Sequence, residues 1–298
     1  MGEPLTLNLR SLRSRYRRLR AAVSAPRLQV QKTVVLRDAQ EACKNPIMVM
    51  ACHRSGTTLL RRILNSHPSI ACPPESFFLA HFLDMMRHPQ SREGLGSIVG
   101  PDAVDTTISA AALQFHEAFR TAQGKPRWAD KTPGYVKRWP EIINLVPAGT
   151  QWVVILRDPF DVAASIHGRN WFIELYGGRP EAETDLFENT VCYIEDYFGK
   201  LADFIATGRA HVLRYEELTT KPEEVLRRLF QHLNEPWEPA VLTPWAGQHN
   251  FGIEDPIARG TFAFAPSIGT WRGFLRAQKD ILHERLGSRH QQLGYNAL

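Results

Sequence analysis

The sequence predicts an α/β fold in which a central, mostly parallel sheet is covered by helices on both faces. Strand-like apolar runs alternate with amphipathic, helix-like segments, and a short polar loop follows each run. The two clearest runs are residues 47–52 (IMVMAC) and 151–156 (QWVVIL). In open α/β sheets, ligands bind where the loops after the strands meet. We therefore expect the polar residues after these strands to form the functional site.

The first of these loops consists of Arg54, Ser55, Gly56, Thr57 and Thr58, and it leads into a predicted amphipathic helix. A loop that opens a helix directs backbone N–H groups and the positive end of the helix dipole at one point, which favours an anion. The loop has neither the lysine nor the length of a Walker A loop, so it suits one terminal phosphate-like group better than a metal-bound triphosphate. A purely structural glycine turn is the alternative.

The second predicted strand, residues 69–72, leads into a loop that contains Glu75, and we expect this strand to lie beside the first. Glu75 is then either a general base next to the anion loop or a carboxylate at the start of a helix over residues 77–86. Lys131 follows a third predicted strand, residues 127–130. It either faces the same loop or is a surface lysine before a turn.

A second anion site is predicted after the strand at residues 151–156. Asp158 and Pro159 have the residue types of an N-cap and a first helical position, which predicts a helix to about residue 169. Arg157, Ser165 and Arg169 would place three donors near the start of that helix. The alternative is that Arg157 pairs with Asp161. Two anion sites on one sheet indicate a ligand with two anionic groups, and the absence of GxGxxG after the first strand disfavours a dinucleotide fold.

The remaining elements are less sharply defined. We expect helices in residues 84–126 with a Gly/Pro break at 94–101, a long helix from about residue 185, a strand at 211–215 and a helix at 221–234. Residues 84–126, 171–190 and 237–266 are expected to be insertions or lids that cover the substrate. Aromatic residues in these segments indicate an apolar or ring-containing substrate: Trp171, Phe172, Tyr176, Trp245 and Phe251.

Positive charge is concentrated at the N-terminus. The formal net charge is +5, but residues 1–40 hold nine Lys or Arg and two acidic residues, which leaves 27 basic against 29 acidic residues elsewhere. Residues 1–40 therefore predict a basic amphipathic helix, which could bind an anionic membrane or an acidic partner, contact a second subunit of a homodimer, or pack on its own domain. Its composition also resembles an organelle transit peptide. The near-neutral remainder argues against nucleic-acid binding.

The four cysteines, Cys43, Cys52, Cys72 and Cys192, form no CxxC pair, which disfavours a structural zinc site and fits a reducing compartment. No apolar run has the length of a transmembrane helix, and the N-terminus lacks the apolar core of a signal peptide. We expect a soluble, cytoplasmic protein.

Four short blocks in order resemble the sulfotransferases that use 3′-phosphoadenosine-5′-phosphosulfate (PAPS). They are RSGTT at 54–58, LRDPFDVAASI at 156–166, LRYEEL at 213–218 and WRGFL at 271–275. The pattern is most similar to the branch that contains the tyrosylprotein sulfotransferases and their bacterial relatives. The resemblance implies a three-layer, P-loop-like domain over residues 45–298, with PAPS as co-substrate, 3′-phosphoadenosine-5′-phosphate (PAP) as product, and no metal.

The resemblance also implies roles for individual residues at the nucleotide. Residues 54–58 would cradle the 5′-phosphosulfate, Arg157 and Ser165 would hold the 3′-phosphate, and Tyr215 would lie near the nucleotide. The cytosolic small-molecule branch differs, because it has a lysine in the first loop, a catalytic histidine and an RKG run where residues 264–266 are Phe-Ala-Pro here. The 3′-phosphate would therefore also depend on Ser267 or Arg272.

Glu75 stands where tyrosylprotein sulfotransferases carry their catalytic carboxylate, and Lys131 corresponds to a lysine that assists transfer. The expected reaction is in-line transfer of a sulfuryl group to a hydroxyl of a small molecule, a saccharide or a peptidyl tyrosine. Glu75 would be the base, and Arg54 and Lys131 would stabilise the developing charge. If Glu75 is not the base, the candidates are His53, His81 and His116. The rival functions are a P-loop small-molecule kinase and a non-catalytic adapter with a vestigial nucleotide site.

Overall fold

The computed structural model describes residues 42–169, 183–247, 249, 260 and 262–295. The predicted helix in residues 1–40 lies outside this range and stays a prediction. Parts of the predicted lids at 171–190 and 237–266 also lie outside it, and the assignment of all three lid segments remains a prediction.

A parallel five-stranded sheet forms the centre of the described chain. Its strands lie in the order β2-β3-β1-β4-β5, and each pairing is parallel. The strands are β1 (Ile47–Ala51), β2 (Ile70–Ala71), β3 (Arg127–Lys131), β4 (Gln151–Leu156) and β5 (Ala210–Arg214). All five lie within one residue of the predicted runs, which confirms the predicted parallel sheet.

Ten α-helices connect and cover the strands in the described residues. They are α1 (Thr57–Ser66), α2 (Leu79–Arg87), α3 (Pro89–Val99), α4 (Val104–Ala122), α5 (Trp139–Leu145), α6 (Pro159–His167), α7 (Glu183–Ala206), α8 (Tyr215–Thr220), α9 (Pro222–His232) and α10 (Arg276–Gln292). Short 3-10 helices occur at Pro101–Ala103, Pro133–Arg138, Pro239–Leu242 and Thr270–Gly273.

Successive side chains of β1 pack into two separate hydrophobic cores, one on each face of the sheet. Met48 and Met50 are buried against a cluster that includes Phe198 of α7. Val49 is buried on the opposite face, in a cluster that includes Ile63 of α1. Since successive side chains of a strand point to opposite faces, a strand buried on both sides has to be apolar throughout. This explains the unbroken apolar run at residues 47–52 and gives the three-layer arrangement.

Three local expectations were wrong. β2 does not lie beside β1, because β3 pairs with both strands and separates them. The predicted helix break at 94–101 begins too early. The helix α3 continues through Gly94 and Gly96 to Val99, and its C-cap is Gly100, whose φ is 90°. An exposed helix tolerates interior glycines at a cost of about 1 kcal/mol each. Tyr215 is not the last residue of a strand but the first residue of α8.

Within the described segments, no helix combines the length and the apolar character that crossing a bilayer requires.

Candidate active site

The loop after β1 makes a sharp turn into α1. Arg54 and Gly56 both have positive φ, 65° and 86° respectively, and Gly56 is the N-cap of α1. A Cβ atom on Gly56 would lie 2.5 Å from Cδ2 of Tyr215 and 3.3 Å from Cδ1 of Ile155. Glycine is therefore required here for two reasons, its backbone conformation and the close approach of α8 and β4. Thr57 and Thr58 open the helix, where the first amides have no intrahelical partner.

A cavity of about 310 Å³ lies over this loop, within the range of small-molecule sites. Nine of the residues predicted to bind the nucleotide line it: Arg54, Gly56, Thr57, Thr58, Arg157, Ser165, Arg169, Tyr215 and Ser267. Residues of both predicted anion sites thus line one cavity, and they are in contact, since Arg54 Nε donates to Ser165 Oγ at 3.4 Å. In the described residues, no group of three or more His, Cys, Asp or Glu side chains is placed to hold a metal ion.

Arg157 joins the two sides of the cavity. Its guanidinium donates to the backbone oxygen of Arg54 at 2.8 Å and to the backbone oxygen of Ser267 at 2.6 Å. It also lies over the Tyr215 ring, with Cζ 4.6 Å from the centroid. Its Nε is buried and has no hydrogen-bond partner among the described residues. Arg157 therefore fixes the cavity walls and keeps a donor that an anion could use.

The alternative pairing of Arg157 with Asp161 is wrong. Asp161 is fully buried, and its carboxylate accepts hydrogen bonds from Gly269 N at 2.7 Å, Thr270 Oγ1 at 2.9 Å and Trp271 N at 3.2 Å. It thereby ties the segment that follows Ser267 to α6. The predicted N-cap is confirmed, because Asp158 accepts from Phe160 N at 2.8 Å and Pro159 is the first residue of α6.

Two predicted nucleotide residues are not on the cavity wall. Ser55 is fully buried, and its hydroxyl has no partner in the described part of the chain. Arg272 is exposed, with its guanidinium 5.7 Å from the Trp271 ring centroid. A role for Arg272 at the 3′-phosphate would require its side chain to move, whereas Arg157 and Ser267 are already in place.

Several lining residues were not predicted as nucleotide contacts: Leu59, Arg62, Pro244, Trp245, Ala263 and Ala265. Arg62 could have been found, because it lies four residues after Thr58 and therefore on the same face of α1. Trp245 was expected near the acceptor. It lines the same cavity as residues 54–58, which we call the phosphate loop, and its ring packs against Phe264 at a centroid distance of 5.5 Å. No sequence spacing links Trp245 to the loop.

Glu75 and Lys131 form an ion pair with a distance of 2.6 Å between Oε1 and Nζ. Glu75 follows β2, and Lys131 is the last residue of the adjacent strand β3. The Lys131 side chain is 4% exposed and that of Glu75 is 26% exposed. Lys131 is therefore not a surface lysine. Since α2 begins only at Leu79, Glu75 is a loop residue whose carboxylate is directed at Lys131.

His53 directly precedes the loop at 54–58 in the chain. Its Nδ1 is 2.6 Å from the Tyr193 hydroxyl. Burial, and then the positive charges of Lys131, Arg54 and Lys137, lower the pKa of His53 to about 3. His53, Glu75 and Lys131 are not among the described residues that line the cavity. The link between the ion pair and the loop at 54–58 is His53, which precedes Arg54 in the chain and is influenced by the charge of Lys131.

The other two histidines considered as the base, His81 and His116, are poor candidates. His116 is 2% exposed, with Nε2 2.7 Å from Oδ2 of Asp130, and its ring stacks on Trp128. A ring enclosed in this way cannot reach a substrate hydroxyl. His81 is exposed on the surface of α2, and no contact of its side chain with the Glu75–Lys131 pair is seen in the described part of the chain.

Comparison with known proteins agrees with this geometry. The chain is 26% identical over 200 residues to a protein-tyrosine sulfotransferase of Drosophila melanogaster, a match that covers 66% of this chain and 39% of that protein. It is 29% identical over 219 residues to the nodulation protein NoeE of Sinorhizobium fredii, a match that covers 63% of this chain and 49% of that protein. The chain therefore spans half or less of the length of these relatives.

The sulfotransferase domain from the curacin biosynthetic pathway has the same fold, with a TM-score of 0.61 at 22% identity over 85% of this chain and 99% of that domain. The profile described as "Sulfotransferase family" matches residues 46–239. This region contains β1 to β5, the phosphate loop, the Glu75–Lys131 pair and Arg157. The match extends over more than half of the sequence, and the chain belongs to the sulfotransferase family.

Proposed function

We propose that this protein transfers the sulfuryl group of PAPS to an acceptor hydroxyl and releases PAP. The observation that carries the proposal is the joining of the two anion sites in one cavity, where Arg157 hydrogen-bonds to both Arg54 and Ser267. A ligand with two anionic groups fits a cavity that is lined by both sets of donors. The Glu75–Lys131 pair would supply groups for proton transfer and charge stabilisation.

The nucleotide would be held by residues already in place. The loop around Gly56 and the first amides of α1 would receive the 5′-phosphosulfate. Arg157, Ser165 and Arg169 would receive the 3′-phosphate. Arg157 lines the cavity, and its Nε lacks a partner within the described chain; an unsatisfied buried donor of this kind favours an anionic ligand.

PAPS supplies the sulfuryl group: the S–O bond to the 5′-phosphate breaks, its electron pair leaves with PAP, and a new S–O bond forms to the acceptor. Glu75 takes the proton that the acceptor hydroxyl loses. Arg54, the loop amides, Thr57 and Lys131 stabilise the charge that develops on the transferring and bridging oxygens. Lys131 is suited to this role because its ammonium group is almost fully buried and is held by Glu75.

The rival functions have less support. A P-loop kinase would need a lysine in the first loop, and Arg54 stands at its start instead. An adapter with a vestigial site would not need the ion pair or the strained backbone at Arg54, and strain of this kind clusters at functional sites. Membership of the sulfotransferase family favours neither rival.

The acceptor, the partners and the location are further proposals. A small molecule, a saccharide or a peptidyl tyrosine each carries a suitable hydroxyl, and the Drosophila relative is named for tyrosine. We also propose a cytoplasmic protein without a nucleic-acid partner, in which residues 1–40 contact a membrane or a second subunit. These points rest on the sequence pattern alone.

The proposed function is tested with sulfur-labelled PAPS, a panel of phenols, tyrosine peptides and saccharides, and the variant Glu75→Gln. The wild type should label at least one acceptor class. Glu75→Gln should lose about a hundred- to ten-thousand-fold in turnover while PAP affinity changes by no more than about twofold. Near-normal turnover of Glu75→Gln would remove Glu75 as the base. Absence of both labelled product and PAP binding in the wild type would contradict the function itself.

A further inference from the structure

The Glu75–Lys131 ion pair has a buried counterpart formed by the adjacent residues of the same two segments. Ser76 Oγ donates to Oδ2 of Asp130 at 2.5 Å, next to the 2.6 Å contact between Glu75 and Lys131. Asp130 is 1% exposed. Two successive residues of the loop after β2 are thus bound to two successive residues of β3. The outer contact joins the candidate catalytic groups, and the inner one ends on a buried carboxylate.

The inner contact belongs to a network in which the hydroxyl groups are oriented towards Asp130. Leu79 N donates to the Tyr135 hydroxyl at 3.0 Å, which leaves the Tyr135 proton for Ser76 Oγ at 2.7 Å. Ser76 N donates to Thr132 Oγ1 at 2.9 Å, and Thr132 donates to Oδ1 of Asp130 at 2.7 Å. Each hydroxyl accepts one hydrogen bond and donates one, so the direction of the network is fixed.

Asp130 is held as a carboxylate at the end of this network. Burial alone would raise the pKa of Asp130, but the hydrogen bond and charge of His116, with hydrogen bonds from Ser76 and Thr132, outweigh burial and lower that pKa. A buried carboxylate held by several hydrogen bonds is rigid, because any displacement leaves a charged group without partners. The loop that carries Glu75 is therefore attached to a fixed point.

The backbone after Ser76 is strained. Phe78 N donates to the Ser76 carbonyl at 2.6 Å, and the residue between them, Phe77, has φ of 53°. A hydrogen bond between residues two apart defines a γ-turn, and the form with positive φ is rare. A bulky side chain disfavours this conformation, and the Phe77 ring is 57% exposed, so ring burial does not explain it. The turn persists because the network holds Ser76 on one side and Leu79 on the other.

We propose that Ser76 and Asp130 are positioning residues that set the orientation of Glu75 relative to Lys131. This rests on the proposed role of Glu75 as the base. Stability alone does not require a buried polar network here, since well-packed apolar side chains of similar volume would serve as well or better. The network lies one residue from each catalytic candidate, and the strained turn prevents α2 from extending back to Glu75.

The structural test is a crystal structure of Ser76→Ala. We expect the fold and the phosphate loop to be unchanged, while the distance between Glu75 Oε1 and Lys131 Nζ increases beyond about 4 Å, the limit of an ion pair, or the Glu75 side chain takes several conformers. An intact ion pair at about the wild-type distance would overturn the proposal. This measurement needs no acceptor.

The kinetic test uses the acceptor that gives the most labelled product in the screen above. Ser76→Ala should reduce kcat by up to about a hundredfold, because small displacements of catalytic groups cost that much, while the Kd of PAP stays within about twofold. Ser76→Thr, which keeps the hydroxyl, should restore most of the rate. Thr150→Val is the matched control, since it removes a buried hydroxyl that donates to Pro147 O at 2.6 Å, before β4 and away from the site; it should leave kcat unchanged.

A double-mutant cycle separates positioning from a general structural effect. In a Glu75→Gln background, Ser76→Ala should cause no further loss of rate, because the group that it positions is already gone. The proposal would be overturned if the rate loss of the double variant equalled the product of the two single losses, or if Ser76→Ala had the wild-type rate. In either case Glu75 would remain the base. If Glu75→Gln alone keeps its rate, the base assignment fails first, and the two failures are distinguishable.

Discussion

His53 shows how the surroundings of a single residue determine its chemistry. Burial and three neighbouring cations lower its pKa to about 3, so the ring is neutral at physiological pH. A neutral ring with unprotonated Nδ1 can accept from the Tyr193 hydroxyl. A group with so low a pKa is a weak proton acceptor, which makes His53 a poor candidate for the base.

The pKa of His53 predicts a pH dependence of stability. Between about pH 6.5 and pH 3 the unfolded chain binds a proton at this residue and the folded chain does not. The free energy of unfolding should therefore fall as the pH decreases from about 7.5 to about 5.5, with His53 contributing up to about 1.4 kcal/mol per pH unit. Urea denaturation at several pH values should show a shallower dependence for His53→Gln. An identical slope would contradict the assignment of a depressed pKa.

Gly56 is the residue on which the shape of the phosphate loop depends most. Gly56→Ala should lower the free energy of unfolding by about 1–3 kcal/mol, because φ of 86° disfavours a side chain and the new Cβ would meet Tyr215. PAP affinity should fall at least about tenfold, as the loop amides turn away. Isothermal titration calorimetry and thermal denaturation measure both effects.

The matched control for this change is Gly94→Ala in α3, where a new Cβ has no atom within 4 Å. Alanine should stabilise that helix by about 0.5–1 kcal/mol and leave PAP binding unchanged. Equal effects at the two glycines would mean that the conformation of residue 56 is not special.

The sequence predicted which residues line the cavity where the geometry is local. The loop at 54–58 and Arg157 follow directly after strands, so the strand assignment alone places them near one edge of the sheet. The partners of Arg157 could not be predicted in this way, because Ser267 is 110 residues away. Whether Arg157 pairs with Asp161 or with Ser267 depends on where the segment that contains Ser267 crosses α6.

At the scale of elements, the segment with the 3-10 helix at Thr270–Gly273 is the clearest case of a loop placed by one buried side chain. Asp161 on α6 accepts two backbone hydrogen bonds and one hydroxyl hydrogen bond from this segment. The segment in turn brings Ser267 to Arg157. Asp161 therefore determines the position of Ser267 in the cavity wall without lining the cavity itself.

This arrangement predicts that Asp161→Asn weakens binding at the 3′-phosphate end of the site. An amide accepts hydrogen bonds less strongly than a carboxylate, so Ser267 should move away from Arg157. Calorimetry should show a loss of about five- to fiftyfold in affinity for PAP and a smaller loss for adenosine 5′-phosphate, which has no 3′-phosphate. Equal losses for both nucleotides would contradict this reasoning. Asp105→Asn, which removes an exposed pair with Arg92, should change neither affinity.

The element boundaries were predicted better than the arrangement of the elements in space. Apolar runs identified the central strands because these are buried on both faces, but nothing in the runs encodes lateral order. β3 enters between β1 and β2 only after three helices, α2, α3 and α4, have followed β2. The juxtaposition of Glu75 and Lys131 is a consequence of that order, and local sequence patterns could not reveal it.

At the scale of the whole molecule, the site does not rely on a strong overall field. All of the excess positive charge lies in residues 1–40, because the remaining chain holds 27 basic against 29 acidic residues. Binding of an anionic nucleotide must therefore come from the local cluster of Arg54, Arg62, Arg157 and Arg169 around the cavity. Such a cluster, together with backbone amides, can select a ligand by the spacing of its anionic groups.

The fold class and the sulfotransferase resemblance could be read from the sequence because they depend on the order of short blocks and strands. The depth of the cavity, the position of Trp245 within it and the network around Asp130 depend on side-chain packing between distant segments. These features emerge only when the sheet order and the crossing of the C-terminal segment are known.

The most direct test of the central claim is calorimetric titration of the full chain with PAP, with adenosine 5′-phosphate and with ATP in the presence of Mg²⁺. If one cavity clasps both ends of a 3′-phosphorylated adenosine nucleotide, PAP should bind at least about tenfold more tightly than either competitor, because neither competitor can form the charge-assisted hydrogen bonds that a 3′-phosphate accepts. Binding of ATP with Mg²⁺ as tightly as PAP, or of adenosine 5′-phosphate as tightly as PAP, would contradict it.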